Sequence, residues 1–306
     1  MKKPLLFIFV LLLASATVSA QKISPADLRT LQKKEDSLKT FARTLVTDSL
    51  PNIRMRSDSF FVRTLLRSIH TKNSFYYPYD SVKGIGNVYA PDSTFRIITW
   101  SLTYDDDVCQ QRGVIQFKTA DGAARYVPLF DYSSLTPYPE DSVRTNRNWI
   151  GAVYYNIVQT KHNNKNYYTL FGYDPNTVRS NKKWIEVLTF DTNRMPVFGG
   201  KFFSFEKDSV KRPEQFRYSI EYKKSASTTV NYEPELEVIL VDHLISETDE
   251  PELAHTFVPD GDYEGFKWVN GKWLHIEKVF DQKLEDGEAP IPNPILDQQG
   301  NSNDKK

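Results

Sequence analysis

The pattern of apolar and polar residues has a helical period in residues 24–72. Ser24-Pro25 supplies a capping hydroxyl and then a proline at the first helical position, and Leu50-Pro51 interrupts the pattern. The apolar positions that share one side are Leu28, Leu31, Leu38, Phe41, Ala42 and Leu45 in the first segment and Phe61, Val62, Leu65, Leu66 and Ile69 in the second. Lys34 and Glu35 interrupt the first stripe, so we expect its burial to be partial.

We therefore predict a helical hairpin within residues 21–72. An amphipathic helix also suits a membrane surface or a partner, but packing against its own protein is the more common role.

From about residue 75 the pattern changes to short runs rich in β-branched and aromatic residues, separated by Asp, Asn, Gly, Pro and Ser. The runs lie at 95–102, 114–118, 125–130, 153–158, 167–171, 184–190, 216–222 and 237–241. The connections between them are too short for crossover helices, so we expect antiparallel pairing. The sequence predicts a mainly β fold: an antiparallel sandwich or incomplete barrel over residues 73–280, preceded by the helical hairpin.

One hairpin is predicted with its register, at residues 266–276. Asn270-Gly271 suits a two-residue type I′ turn, because both central positions need positive φ. Trp268 then faces Trp273, and Phe266 faces His275. We interpret this aromatic face as core.

The two ends of the chain differ from the rest. Residues 1–20 combine Lys2 and Lys3, an apolar run over 5–13 and the small residues Val18-Ser19-Ala20, which is the pattern of a cleavable secretory signal. The run is too short to cross a bilayer. We predict export to the periplasm or the medium, with a mature chain beginning at Gln21. Residues 281–306 are polar and interrupted by prolines, so we predict a disordered tail.

Charge and cysteine content narrow the choice of partners. Without Lys2 and Lys3, the 39 basic residues become 37 against 39 acidic ones, a net charge of −2. This balance argues against nucleic-acid binding. Cys109 is the only cysteine, so no internal disulfide forms. No apolar stretch after the signal approaches the length of a membrane helix.

A short acidic run is the one candidate metal site. Asp260, Asp262 and Glu264 alternate and Gly265 follows, which begins like a calcium-binding loop. The twelfth position is Gly271 where such a loop has a bidentate glutamate. A polar turn that enters a strand explains the same residues. Residues 105–107 form a second acidic cluster, which we interpret as a solvated loop.

No catalytic motif of high specificity is present. The chain lacks G-x-S-x-G, H-E-x-x-H and a phosphate-binding glycine loop, and its five histidines contain no i, i+4 pair. Ser180 to Lys183 fits S-x-x-K by letters only, and the acidic neighbours of Cys109 disfavour a thiolate. Asp242-His243 could orient and supply a base, but adjacent residues of a strand point to opposite faces. We predict no cofactor.

The five tryptophans leave a further alternative open. Trp100, Trp149, Trp184, Trp268 and Trp273, with many tyrosines, could form a surface on which sugars stack. Core packing is the more common role of such residues.

Several segments carry a resemblance. They are residues 73–81 (NSFYYPYDS), 90–96 (APDSTFR), Thr99-Trp100, residues 197–199 (VFG), residues 242–244 (DHL) and residues 258–261 (VPDG). Together they resemble a set of uncharacterised exported proteins of Gram-negative bacteria. The resemblance implies an envelope or secreted location and assigns no activity to any residue.

The sequence thus predicts an exported, non-enzymatic binding or structural protein whose partner is an envelope component or another protein. The alternatives are a secreted hydrolase with a dispersed active site and a carbohydrate-binding module.

Overall fold

The structure is a computed structural model that describes residues 23–105 and 108–280. The predicted secretory signal, the predicted disordered tail, Asp106 and Asp107 lie outside these residues.

Two helices open the described chain, α1 (Pro25–Thr47) and α2 (Pro51–Ile69), and they confirm the predicted hairpin. The Ser24 hydroxyl accepts a hydrogen bond from the Asp27 N–H at 3.1 Å and caps α1, with Pro25 at the first helical position. Leu31 is fully buried, whereas Leu28 is 37% exposed, so burial of the first stripe is partial as expected.

Fifteen strands follow in the described residues. They are β1 (Ile85–Tyr89), β2 (Phe95–Thr103), β3 (Cys109–Phe117), β4 (Tyr126–Phe130), β5 (Arg144–Thr145), β6 (Val153–His162), β7 (Lys165–Asp174), β8 (Ser180–Phe190), β9 (Pro196–Phe198), β10 (Phe203–Ser204), β11 (Arg217–Lys223), β12 (Val230–Glu233), β13 (Val238–Ser246), β14 (Phe257–Val269) and β15 (Lys272–Ile276).

The strands form three open sheets. The first has the order β1-β2-β3-β4, and the second has the order β5-β9-β8-β7-β6 with β11 also paired to β8. The third has the order β10-β15-β14-β13-β12. All strand pairs are antiparallel except β10 with β15. The mainly β, antiparallel prediction is confirmed, and no sheet of the described chain closes into a barrel.

The helical hairpin and the three sheets stack as four layers with a hydrophobic core at each interface. The core between helices and first sheet includes Leu31, Leu38, Phe61, Leu65, Ile98, Trp100, Leu102 and Val114. The core between first and second sheets includes Phe95, Ile97, Ile115, Trp149, Tyr154, Leu170 and Leu188. The core between second and third sheets includes Phe171, Ile185, Val187, Ile239, Val241, Phe266 and Trp273.

The two inner sheets are buried on both faces, and this explains their apolar runs. Ile97 and Ile98 are adjacent in β2 and enter different cores, as do Leu170 and Phe171 in β7. Successive side chains of a strand point to opposite faces, so a doubly covered strand needs apolar residues at consecutive positions.

The predicted hairpin has the predicted register. Trp268 pairs with Trp273 and Phe266 with His275 across β14 and β15. Asn270 and Gly271 both have positive φ, 49° and 85°. Phe266 and Trp273 are fully buried, which confirms the assignment of this face to the core.

No helix in the described ranges has the length and apolar character needed to span a bilayer.

Candidate functional site

The predicted acidic run of Asp260, Asp262 and Glu264 lies within β14. Asp260 binds the ring of His243 at 2.7 Å, and Asp262 pairs with Lys278 at 3.1 Å. Glu264 lies deeper and engages Tyr218 and His275. The three carboxylates therefore serve three different partners. Residues 23–105 and 108–280 contain no group of three His, Cys, Asp or Glu side chains placed to hold a metal ion.

Asp242 and His243 do not act together, as the strand geometry predicts. Asp242 is buried and accepts a hydrogen bond from the Thr229 N–H at 2.6 Å. His243 is exposed, and its ring contacts the carboxylate of Asp260 instead. Both line a cavity of about 280 Å³ that also includes Ser219. The Ser219 hydroxyl donates to Glu140 at 3.3 Å.

His275 is the centre of a buried charged cluster. Its Nδ1 lies 2.9 Å from Asp208, and its Nε2 lies 3.3 Å from Glu264. Arg212 pairs with Asp208 at 2.8 Å, and the Tyr218 hydroxyl donates to Glu264. Burial lowers the pKa of His275, but hydrogen bonds and attraction to Glu264 and Asp208 outweigh it and leave this pKa raised. Both ring nitrogens face carboxylates, so His275 has a structural role here.

The other three histidines contact an amide, an arginine and an aromatic ring. His162 contacts the Asn163 amide at 3.0 Å, His255 contacts Arg179, and His70 packs against the ring of Tyr126. The Cys109 thiol lies 3.3 Å from the Thr103 hydroxyl. Within the described chain, no Ser, Thr or Cys side chain hydrogen-bonds to a histidine.

The tryptophans do not form an exposed stacking surface. Four of them are 5% exposed or less, namely Trp100, Trp149, Trp184 and Trp273. Trp268 is half-buried between Tyr167 and Trp273.

A cavity with several polar side chains lies where β3, β7 and β8 meet a loop before β5. Its volume is about 290 Å³, close to the smallest ligand pockets. The polar side chains around it include Gln111, Ser133, Asp174, Asn176, Lys182 and Trp184. We call this cavity the Asp174 pocket. Cys109 lies in its wall.

Asp174 is the main charged group of the pocket and is itself buried. Its Oδ1 accepts hydrogen bonds from the Gln111 side chain at 2.8 Å and the Asn176 N–H at 2.9 Å. Burial raises the pKa of Asp174, and the nearby Asp131 carboxylate raises it further. Asn176 N–H and Lys182 oppose this shift.

The indole N–H of Trp184 supplies the complementary donor. Its interaction with Asp174 lowers the pKa of that carboxyl, but the contact does not reach the geometry of a normal hydrogen bond, and the nitrogen is buried. Buried N–H groups almost always have a full partner, so this weakly paired one needs an explanation, and a bound polar group is one.

The sequence offered no signal for the Asp174 pocket. Gln111 and Asp174 are 63 residues apart and belong to different sheets. No local motif joins them. Trp184 was predicted as a core or stacking residue, and it is a core residue that also lines the cavity.

Comparison with known proteins adds no relative: no family model, no curated protein and no solved structure matches this chain.

Proposed function

We propose that this protein is an exported, non-enzymatic binding protein and that the Asp174 pocket takes a small hydroxyl-rich ligand of the saccharide class. The observation that carries the proposal is the presence in one cavity wall of a buried carboxylate, Asp174, and of Trp184, whose buried N–H reaches no hydrogen bond of normal geometry. Export rests on the pattern of residues 1–20.

A hydroxyl group fits this pair because it donates and accepts at once. It donates to the carboxylate of Asp174 and accepts from the N–H of Trp184. Asn176, Lys182 and Ser133 supply further polar atoms around the same space. A purely apolar ligand would leave these groups unpaired, at a cost of about 1–3 kcal/mol for each buried group.

The hydrolase alternative has less support from the described residues. His243 and Asp260 form an acid–base pair, but Ser219 in the same cavity donates to Glu140. A hydrolase of this kind needs its nucleophile within hydrogen-bond reach of the base.

The binding proposal is tested with Cys109 as a reporter, because it is the only cysteine and lines the pocket. We expect N-acetylglucosamine or glucose to slow alkylation of Cys109 by a maleimide in a saturable manner, and glycerol to do so weakly. Asp174→Asn keeps an oxygen for Gln111 and Asn176 while replacing the other carboxylate oxygen. We expect it to weaken protection about tenfold or more.

Asp36→Asn is the matched control, because Asp36 is exposed on α1 and does not line the pocket. Trp184→Phe keeps an aromatic ring and removes the donor, so it should weaken protection as Asp174→Asn does. Equal protection in wild type and both pocket variants would refute the proposed site.

The export part of the proposal is tested by N-terminal mass analysis of the exported protein. We expect Gln21 as its first residue.

A further inference from the structure

A second pair of cavities lies at the junction of the helical hairpin with the sheets. The larger one, of about 540 Å³, is bounded by the end of α1, by β1 and by the β6–β7 pair. Its apolar lining includes Leu45, Val46, Ile85, Val153, Tyr173 and Pro175. The smaller one, of about 260 Å³, lies over Ala42 and Val46. Neither shares a lining residue with the Asp174 pocket.

The two cavities adjoin each other, because Val46 and Gly84 line both of them. Gly84 has φ +80°, and a Cβ there would lie 3.0 Å from a methyl group of Val46. Gly84 and Val46 are therefore in close contact at the boundary between the cavities, where Val46 is 64% exposed. We call the two adjoining cavities the hairpin cleft.

The charge of the hairpin cleft is one-sided. Lys39, Arg43 and Lys83 border the smaller cavity, and Arg54 borders the larger one. No aspartate or glutamate lines either cavity. Lys39, Arg43 and Lys83 make no ion pair within the described residues. Lys39 is attracted to Glu35, one turn away on α1, and Arg54 donates to the carbonyls of Asp48 and Thr103. Arg43 and Lys83 are the cations of the cleft whose side chains have no such partner within the described residues.

We propose that the hairpin cleft binds a single-chain anionic amphiphile, a long-chain carboxylate of the fatty-acid class. The alkyl chain fills the larger, apolar cavity, where each buried methylene group adds to the affinity. The carboxylate lies over the smaller cavity and pairs with Lys39, Arg43 and Lys83. A neutral amphiphile would use the apolar lining and leave Arg43 and Lys83 without a partner.

At about 540 Å³ the apolar cavity lies inside the range of small-molecule pockets. It is more apolar than the Asp174 pocket, whose lining mixes polar and apolar side chains. This inference therefore goes beyond the proposed saccharide site and can be tested independently of it.

The test is calorimetric titration of the full chain with monomeric decanoate and with decan-1-ol, which has the same chain length and no charge. We expect saturable 1:1 binding of decanoate and weaker binding of the alcohol. The double variant Lys39→Glu/Lys83→Glu should weaken decanoate binding about tenfold or more and leave the alcohol unchanged. Val46→Asp, which places a carboxylate at the boundary between the two cavities, should weaken binding of both ligands.

Two variants serve as matched controls. Lys33→Glu changes an exposed lysine of α1 that does not line the cleft, and Val210→Asp changes a valine that is 72% exposed elsewhere. Neither should alter binding, and circular dichroism checks that every variant is folded. Unchanged decanoate binding in the lysine variant or in Val46→Asp would overturn the proposal. Binding to phosphatidylglycerol vesicles without saturable decanoate binding would overturn it as well.

Discussion

Arg96 is a buried cation whose hydrogen-bond partners are all uncharged. Its guanidinium donates to the Gln116 side chain, to the carbonyls of Ser74 and Tyr77 and to the Tyr89 hydroxyl. It also lies over the ring of Tyr79, 4.9 Å from its centroid. Aromatic faces and carbonyl dipoles replace the carboxylate that a buried arginine usually has.

This cluster joins two of the segments that carry the resemblance. Residues 73–81 and 90–96 meet around Arg96, since the first supplies the carbonyls and Tyr79 and the second supplies the arginine itself. Tyr79 is therefore a packing residue.

We expect Arg96→Met to lower the free energy of unfolding by about 3 kcal/mol or more. Methionine fills much of the volume but leaves the Gln116 oxygen and two backbone carbonyls buried without donors, each costing about 1–3 kcal/mol. Urea denaturation measures the change. Arg63→Met, at an exposed arginine of α2, should alter it by less than about 0.5 kcal/mol. A similar small effect at Arg96 would contradict this account.

The His275 cluster should make stability depend on pH. Because the pKa of His275 is raised in the folded state, its contribution is complete below about pH 6.5, the usual unfolded value, and disappears as the pH rises through the folded value. The pKa values of Asp208 and Glu264 are lowered, so their contributions are lost only as the pH falls below about 4. The cluster therefore stabilises the protein most between these limits.

Thermal melts at pH 5.5 and pH 8 check this expectation. Wild type should lose stability on going to pH 8, and His275→Gln should lose much less, because it has no imidazole to deprotonate. His70→Gln, at an exposed histidine, is the control and should follow wild type. Parallel behaviour of wild type and His275→Gln would show that the cluster does not titrate as described.

Among the elements, the β14–β15 hairpin contributes the largest buried aromatic side chain of the third sheet. Trp273 is fully buried, and its indole N–H donates to the Thr169 hydroxyl of β7 at 2.9 Å. Trp273→Ala should cost about 3–5 kcal/mol, through lost transfer free energy and the cavity that remains. Chemical denaturation measures this loss.

The control for this hairpin is on its opposite face. Lys272 is paired with Glu214, and its side chain is 45% exposed. Surface ion pairs contribute about 0–1 kcal/mol, so Lys272→Ala should change stability by that amount at most. A loss below about 0.5 kcal/mol for Trp273→Ala would mean that this face is not core.

The secondary-structure elements show how much of the fold a local sequence pattern can predict. The helical hairpin, the long strands and the type I′ turn were predictable, because each has a repeating apolar period or a dipeptide that needs positive φ. The two-residue strands β5 and β10 have no period to detect, and the parallel pairing of β10 with β15 joins Phe203 to Trp273. The Asp174 pocket could not be predicted either, since Gln111, Asp174 and Trp184 come from three strands that only the folded chain brings together.

At the scale of the whole molecule, the helical hairpin is one wall of a core. Four residues of the first sheet, Ile98, Trp100, Leu102 and Val114, pack against it. Asp58 of α2 strengthens the contact, since it accepts from the Trp100 indole at 2.8 Å and pairs with Arg112 at the same distance.

Deleting residues 24–72 should therefore abolish cooperative folding of the remainder. Each large apolar side chain that loses its cover costs about 1.5–3 kcal/mol, and four of them approach the whole stability of an ordinary domain. Circular dichroism melts and solubility measure the outcome. A soluble truncated protein that retains its strand signal and a sharp transition would show that the helices only cover the sheet.

The order of the layers is the order of the chain: helices, first sheet, second sheet, third sheet. A polypeptide that emerges N-terminus first, as during synthesis or translocation, completes each interface before most of the next layer has appeared. The short strand β10 is the exception, because its partner β15 lies 70 residues further on, at Phe203 and Trp273. If this protein folds in chain order, β10 therefore remains without its strand partner until β15, the last strand, has emerged.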